Sequence, residues 1–93
     1  MEINMDVVYE VFGYNGEIID LVCDILERYS YEDGDEDEYE KLSNALDDSM
    51  CYTSSCWTMI QYYCNPQDAD YNQSMTWFEE DLMKAINHGA IEE

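Results

Sequence analysis

From Gly16 onward, apolar residues recur on a helical period, with Ile18, Leu21, Val22, Ile25, Leu26 and Tyr29 forming one stripe. Glu17, Asp20, Asp24 and Glu27 form a second, acidic stripe on the same segment, so the pattern predicts an amphipathic helix over residues 16–29. Upstream, "EINMDVVYEVF" (residues 2–12) fits two periods at once. Ile3, Met5, Val7, Tyr9 and Val11 alternate with polar positions, as in a half-buried strand, while Val7, Val8, Val11 and Phe12 also fit one side of a short helix. The alternation tips the expectation toward a strand, although a lone strand needs a partner. "GYNG" (13–16) reads as a turn.

A second helix is expected over 37–48, with Tyr39, Leu42, Leu46 and Met50 facing inward and acids at its N-terminus, where the macrodipole favours negative charge. "CYTSSCWTMIQYYCNP" (51–66) is rich in the Thr, Tyr and Trp that suit a strand, but Cys56, Met59, Ile60 and Tyr63 recur as on a helix. A helix over 54–64 follows, with Thr53 or Ser54 as N-cap and Asn65-Pro66 as the stop. After a polar connection, a last helix over 73–88 is expected to bury Met75, Phe78, Leu82 and Ile86. It should carry Glu79, Glu80 and Asp81 near its outer side and end in a glycine cap at His88-Gly89. Trp57, Trp77, Phe78 and Tyr63 fall at core-like spacings. The sum is a mainly α chain of about four helices, or α+β if the N-terminal strand forms, in one small compact domain spanning residues 1–93.

Charge changes this picture. The chain has 23 acidic residues and only Arg28, Lys41 and Lys84 as bases, for a formal net charge of −20. Small domains stay soluble with net charges of about 2–8 in magnitude, so solubility alone does not account for the excess. Such a chain repels DNA, RNA and anionic membranes, and its expected partners are basic proteins or cations. The first 22 residues hold Asp6, Glu10, Glu17 and Asp20 without a basic n-region, and the longest apolar run is far short of a membrane span of about 20 residues. A cytoplasmic chain with reduced thiols is therefore expected.

Candidate chemistry is sparse. "YEDGDEDEYE" (31–40) packs seven carboxylates into ten positions, but as a calcium loop counted from Asp33 it places Glu38 where an EF-hand needs Gly and Asn44 where it needs Glu. Cys51-x4-Cys56-x7-Cys64 lacks the C-x2-C knuckle of structural zinc sites, and with Cys23 these thiols are read as small buried apolar groups. His88 is read as favourably placed at a helix C-terminus rather than as a base, since no nucleophile or glycine-rich loop accompanies it. With 23 acids, any carboxylate pair is uninformative about catalysis. The expectation is a non-enzymatic chain without metal or cofactor. Tyr9, Tyr14, Tyr29, Tyr31, Tyr39, Tyr52, Tyr62 and Tyr71 are too many to bury, so several should lie among the acids, where ring and hydroxyl can both meet a partner.

A folded chain of this mass exposes about 5,600 Å², roughly 280 Å² per net charge, against roughly 100 Å² per charge on a smooth cylinder of duplex DNA. Only clustering would make it DNA-like, and clustering is visible along the chain. The stripe Glu17, Asp20, Asp24 and Glu27 runs about 15 Å along its helix, a carboxylate every ~5 Å. In size, in its acid-to-base ratio, in the tyrosines among acids ("RYSYEDGDEDEYE") and in the acidic helix ("GEIIDLVCDILERY"), the chain resembles the small acidic DNA-mimic inhibitors of phages and mobile elements, the anti-CRISPR and anti-restriction proteins. The resemblance is one of class, without a shared motif. It implies an inhibitor that occupies the basic groove of a nucleic-acid-binding nuclease or its guide complex. Partner-binding residues would be Glu17, Asp20, Asp24, Glu27, Tyr31, Glu32, Asp33, Asp35, Glu36, Asp37, Glu38 and Glu40. The alternative is an acidic adaptor that binds a basic protein away from its nucleic-acid site and blocks its assembly or promotes its oligomerisation. Homodimerisation through the N-terminal segment is left open.

Overall fold

The computed structural model describes residues 2–31, 37–49, 58, 60, 61 and 71–92. The chain is mainly helical. Strand β1 (Glu2–Ile3) leads into helix α1 (Met5–Phe12), followed by α2 (Gly16–Tyr31), α3 (Glu38–Asp48), α4 (Tyr71–Asn87) and strand β2 (Ile91–Glu92). Helical backbone also occurs at Thr58, Ile60 and Gln61, in line with the helix expected over 54–64, and Ile60 is fully buried. The rest of that segment, with Met50, Thr53, Ser54, Trp57, Met59, Tyr63, Asn65 and Pro66, lies outside the described residues.

The N-terminal strand over 2–12 does not form. Only Glu2–Ile3 is strand, and residues 5–12 are helix. Asn4 decides it: its side chain accepts a hydrogen bond from the Asp6 amide at 3.1 Å and caps α1, while Asp6 places a carboxylate in the first turn. Val8 and Phe12, one turn apart, are then buried together, and Ile3, Met5, Val7, Tyr9 and Val11 pack half-buried around the core. The alternation of those five reflects uniform partial burial, not a pleat.

The remaining caps follow from the sequence. Gly13, at φ +80°, ends α1 and donates its amide to the Tyr9 carbonyl at 2.9 Å. Asn15 accepts from the amides of Glu17 and Ile18 and starts α2. Asp37 accepts from the Glu40 amide at 2.8 Å and caps α3, so one acid of the dense run holds a helix start. At the end of α4, Gly89 (φ +89°) donates to Ile86 and Ala90 donates to Ala85, the paired bonds of a Schellman motif with Ala85 and Ala90 both buried. That reversal returns the chain to its beginning. The Asn4 amide donates to the Ala90 carbonyl at 2.8 Å, and β1 pairs antiparallel with β2 in the register Glu2 to Glu92 and Ile3 to Ile91.

The core is the inner stripe of α2 (Ile18, Ile19, Leu21, Val22, Ile25, Leu26) packed against Leu42, Ala45 and Leu46 of α3 and against Met75, Phe78, Leu82, Met83 and Ala85 of α4. Ile86, Trp77 and Tyr29, all expected inside, are half-buried. Tyr39 departs from expectation outright at 74% exposure. It lies in the first turn of α3, one turn before Leu42, where the inner stripe of that helix begins.

Replacing Asn4 should show how much the N-terminal helix depends on its cap. Asn4→Ala removes the bond to Asp6 and the contact of Asn4 Nδ2 with Glu92 Oε1 at 3.2 Å. A loss of ~1 kcal/mol is expected in urea denaturation, with amide exchange in α1 accelerated before that in α2.

Candidate interaction surface

The acidic stripe of α2 lies on its outer side: Glu17, Asp20 and Glu27 are exposed, and Asp24 is partly so. Its charge is not wholly free. Arg28 Nε donates to Asp24 Oδ2 at 3.1 Å, one turn apart, and the pair stands in the last turns of α2, where a cation also suits the dipole. The Tyr31 hydroxyl, on a ring 68% exposed, donates to Glu27 Oε1 at 3.4 Å. The stripe therefore ends in a carboxylate held beside an exposed aromatic face.

Asp37, Glu38 and Glu40 are exposed at the start of α3. Burial, and then the Glu38 charge, push the Tyr29 hydroxyl above the ordinary tyrosine range, and α2 and α3 pack against each other. Glu27 and Tyr31 stand in the last turns of α2, and Glu38 begins α3. Glu32, Asp33, Asp35 and Glu36 lie outside the described residues.

Negative charge is not confined to this face. Asp6 and Glu10 are exposed on α1, Glu2 and Glu92 on the ribbon, Asp47 and Asp48 at the end of α3, and Glu80 on α4. The principal axes span 38, 26 and 19 Å, so the net charge of −20 amounts to one charge per ~1.9 Å of the long axis, against one per ~1.7 Å of axis in duplex DNA. Per unit area the protein is more dilute, at roughly 290 Å² of its 5765 Å² accessible surface per charge. The two measures differ because an accessible surface follows every crevice and a smooth cylinder does not.

Sequence reasoning missed a groove between α3 and α4, with a cavity volume of about 620 Å³. Leu42, Leu46 and Met83 supply its apolar lining, while Tyr39 and Ser43 stand on the α3 side. Glu79 and Glu80 line it from α4, Lys84 lies further along the same helix, and His88 lies just past its end. Glu79 was expected near the outer side of its helix but is half-buried, and burial raises its carboxyl above the ordinary glutamate range. Among the described residues it has no hydrogen-bond or ion-pair partner.

Elsewhere, the thiol of Cys23 sits 3.7 Å from Met5 Sδ and is pushed up by burial and by the Asp20 charge, which keeps it protonated and weakly nucleophilic at neutral pH. Cys51, Cys56 and Cys64 lie outside the described residues. Among the described residues no group of three or more His, Cys, Asp and Glu is arranged to hold a metal, and no helix is long and apolar enough to cross a membrane. Compared with known proteins, the chain matches no family model, no curated protein and no solved structure.

The raised carboxyl of Glu79 gives a pH-dependent prediction. Because the folded value exceeds the unfolded one, the native state carries a cost when Glu79 is ionised. The cost is absent below the unfolded glutamate value of ~4.3 and complete above the folded value. Glu79→Gln should therefore stabilise the protein at pH 7, with the gain shrinking as pH falls through the carboxylate range. The exposed neighbour Glu80→Gln corrects for the general relief of repulsion. Urea midpoints for both variants between pH 7 and 4 test this, and equal gains would show that burial of Glu79 contributes nothing.

Proposed function

We propose that the chain is a non-catalytic inhibitor of a nucleic-acid-binding protein, of the kind that defends a cell against foreign DNA, and that it acts by presenting nucleic-acid-like charge to a basic groove. The observation that carries this reading is the axial charge density, close to that of a duplex on a body of similar width. A field of that density steers a basic partner into encounter, and desolvated contacts made afterwards slow its release. The exposed Tyr31 supports it, since an aromatic ring beside the Glu27 carboxylate can take an Arg guanidinium on its face while a carboxylate takes its N–H groups.

A second reading, the acidic adaptor, is favoured by the groove between α3 and α4, because mimicry of a phosphate backbone has no use for an apolar recess. Competition separates the two. A partner captured from nuclease-treated host lysate should be eluted by excess duplex DNA, and inhibition of its cleavage activity should weaken in proportion to added DNA. A partner that stays bound in excess DNA would replace the mimic with the adaptor.

A further inference from the structure

We propose that the groove between α3 and α4 receives one face of a cationic amphipathic helix from the basic partner, its apolar side chains against the exposed Tyr39 ring above a floor of Leu42, Leu46 and Met83, and a Lys or Arg against Glu79. The proposal rests on reading the chain as a binder of a basic protein, and it adds where on the surface that binding acquires shape. From Thr76 to Asn87 the wall formed by α4 runs eleven residues, about 16.5 Å, or about three helical turns. A volume of about 620 Å³ over that length suits the side chains that a helix presents at i, i+4 and i+7.

Charge selects the occupant. Glu79 is half-buried without a partner among the described residues, so it has lost part of its hydration with nothing in return. A cation in the groove would supply the missing interaction. Glu80 lies beside it, and the rest of the protein adds a strongly negative field. A nucleic acid, an acidic peptide or a second copy of this chain would bring like charge instead. Lys84 stands further along α4 and His88 just past its end, which assigns the cation of the occupant to the Glu79 end.

Any cationic peptide will adhere to a surface this acidic, so the test must separate shape from charge. The probe is a helical peptide of Ala, Leu and Lys, roughly four turns long, with its Leu residues on one face. Its comparator has the same composition with the periodicity scrambled. At ~0.15 M salt, where the screening length is ~8 Å, the periodic peptide should bind at least tenfold more tightly, with backbone NMR shift changes centred on Ser43, Leu46, Glu79 and Met83. Ser43 is exposed on the α3 side, so Ser43→Trp should fill the recess without disturbing the core and reduce periodic binding to the scrambled level. Glu27→Lys on α2 should lower both peptides alike. Equal binding of the two peptides, or shift changes centred on α2, would overturn the groove proposal even if inhibition of a captured nuclease persists. Loss of that inhibition with groove binding intact would instead overturn the inhibitor reading.

Discussion

Phe78→Ala is expected to bring the protein to the edge of unfolding in low-salt buffer, and added salt should restore part of the loss. Phe78 is 0% exposed, and its ring lies against Phe12 with centroids 5.8 Å apart at 58°, so it fastens α1 to α4. Truncating a buried Phe costs ~3–5 kcal/mol through lost transfer energy and the cavity left behind. For 93 residues, total stability falls at ~5–14 kcal/mol. Twenty-three acids against three bases should place this chain low in that range, because the folded state holds like charges close together. Salt shortens the repulsion, from a screening length of ~10 Å at 0.1 M to ~3 Å at 1 M. Urea titrations in a potassium chloride series measure both effects, since urea carries no charge of its own. Tyr39→Ala, at an exposed ring, should move the midpoint by no more than ~0.5 kcal/mol. A Phe78→Ala loss as small as that would mean that α1 does not pack on α4 as described.

The helical elements were legible where period and punctuation agreed. Over α2, six apolar residues on one face and the GYNG turn before them fixed both the type and the start of the helix; over α4, Gly89 marked the stop. What Gly89 could not reveal was the destination of the chain, because the pairing of Ile91 with Ile3 depends on residues nearly a whole chain apart. Residues 2–12 misled for a local reason: an Asn cap outweighed an alternation that any short, half-buried helix can show by chance. Tyr39 misled for a tertiary one, since its period matched the inner stripe of α3 but it lies a turn ahead of the first buried residue.

Of the candidate surface, exposure of Glu17, Asp20, Glu27, Glu38 and Glu40 was legible because unpaired carboxylates seldom find a place inside. Neutralisation of Asp24 by Arg28 was also present in the sequence as an i, i+4 pair, and it tempers the stripe. The groove was not legible at all. It lies between α3 and α4, which are more than twenty residues apart in sequence, so no local pattern marks it or tells half-buried Glu79 from exposed Glu80.

Reversing four charges on the α2–α3 face should separate a shaped acidic surface from a mere field. The variant Asp20→Lys, Glu27→Lys, Glu38→Lys, Glu40→Lys spares the Asp24–Arg28 pair and the Asp37 cap, and changes the net charge by +8, from −20 to −12. Each exposed ion pair contributes ~0.2–1 kcal/mol, and each reversal adds a repulsion of similar size, so affinity for the basic target should fall roughly a hundredfold or more. The salt dependence of binding should become shallower. The matched control is Glu2→Lys, Glu10→Lys, Asp47→Lys, Asp48→Lys, with the same net charge. Its changes are benign by construction: Glu2 faces Glu92 across the ribbon, while Glu10, Asp47 and Asp48 lie at helix C-termini, where a cation suits the dipole. Circular dichroism should show both variants folded. The control should lose mainly association rate, the first set dissociation rate as well. Equal losses in the two would mean that the protein acts as a uniform field with no privileged face. No loss in either at low salt would remove the acidic surface from the interaction and leave the α3–α4 groove as its seat.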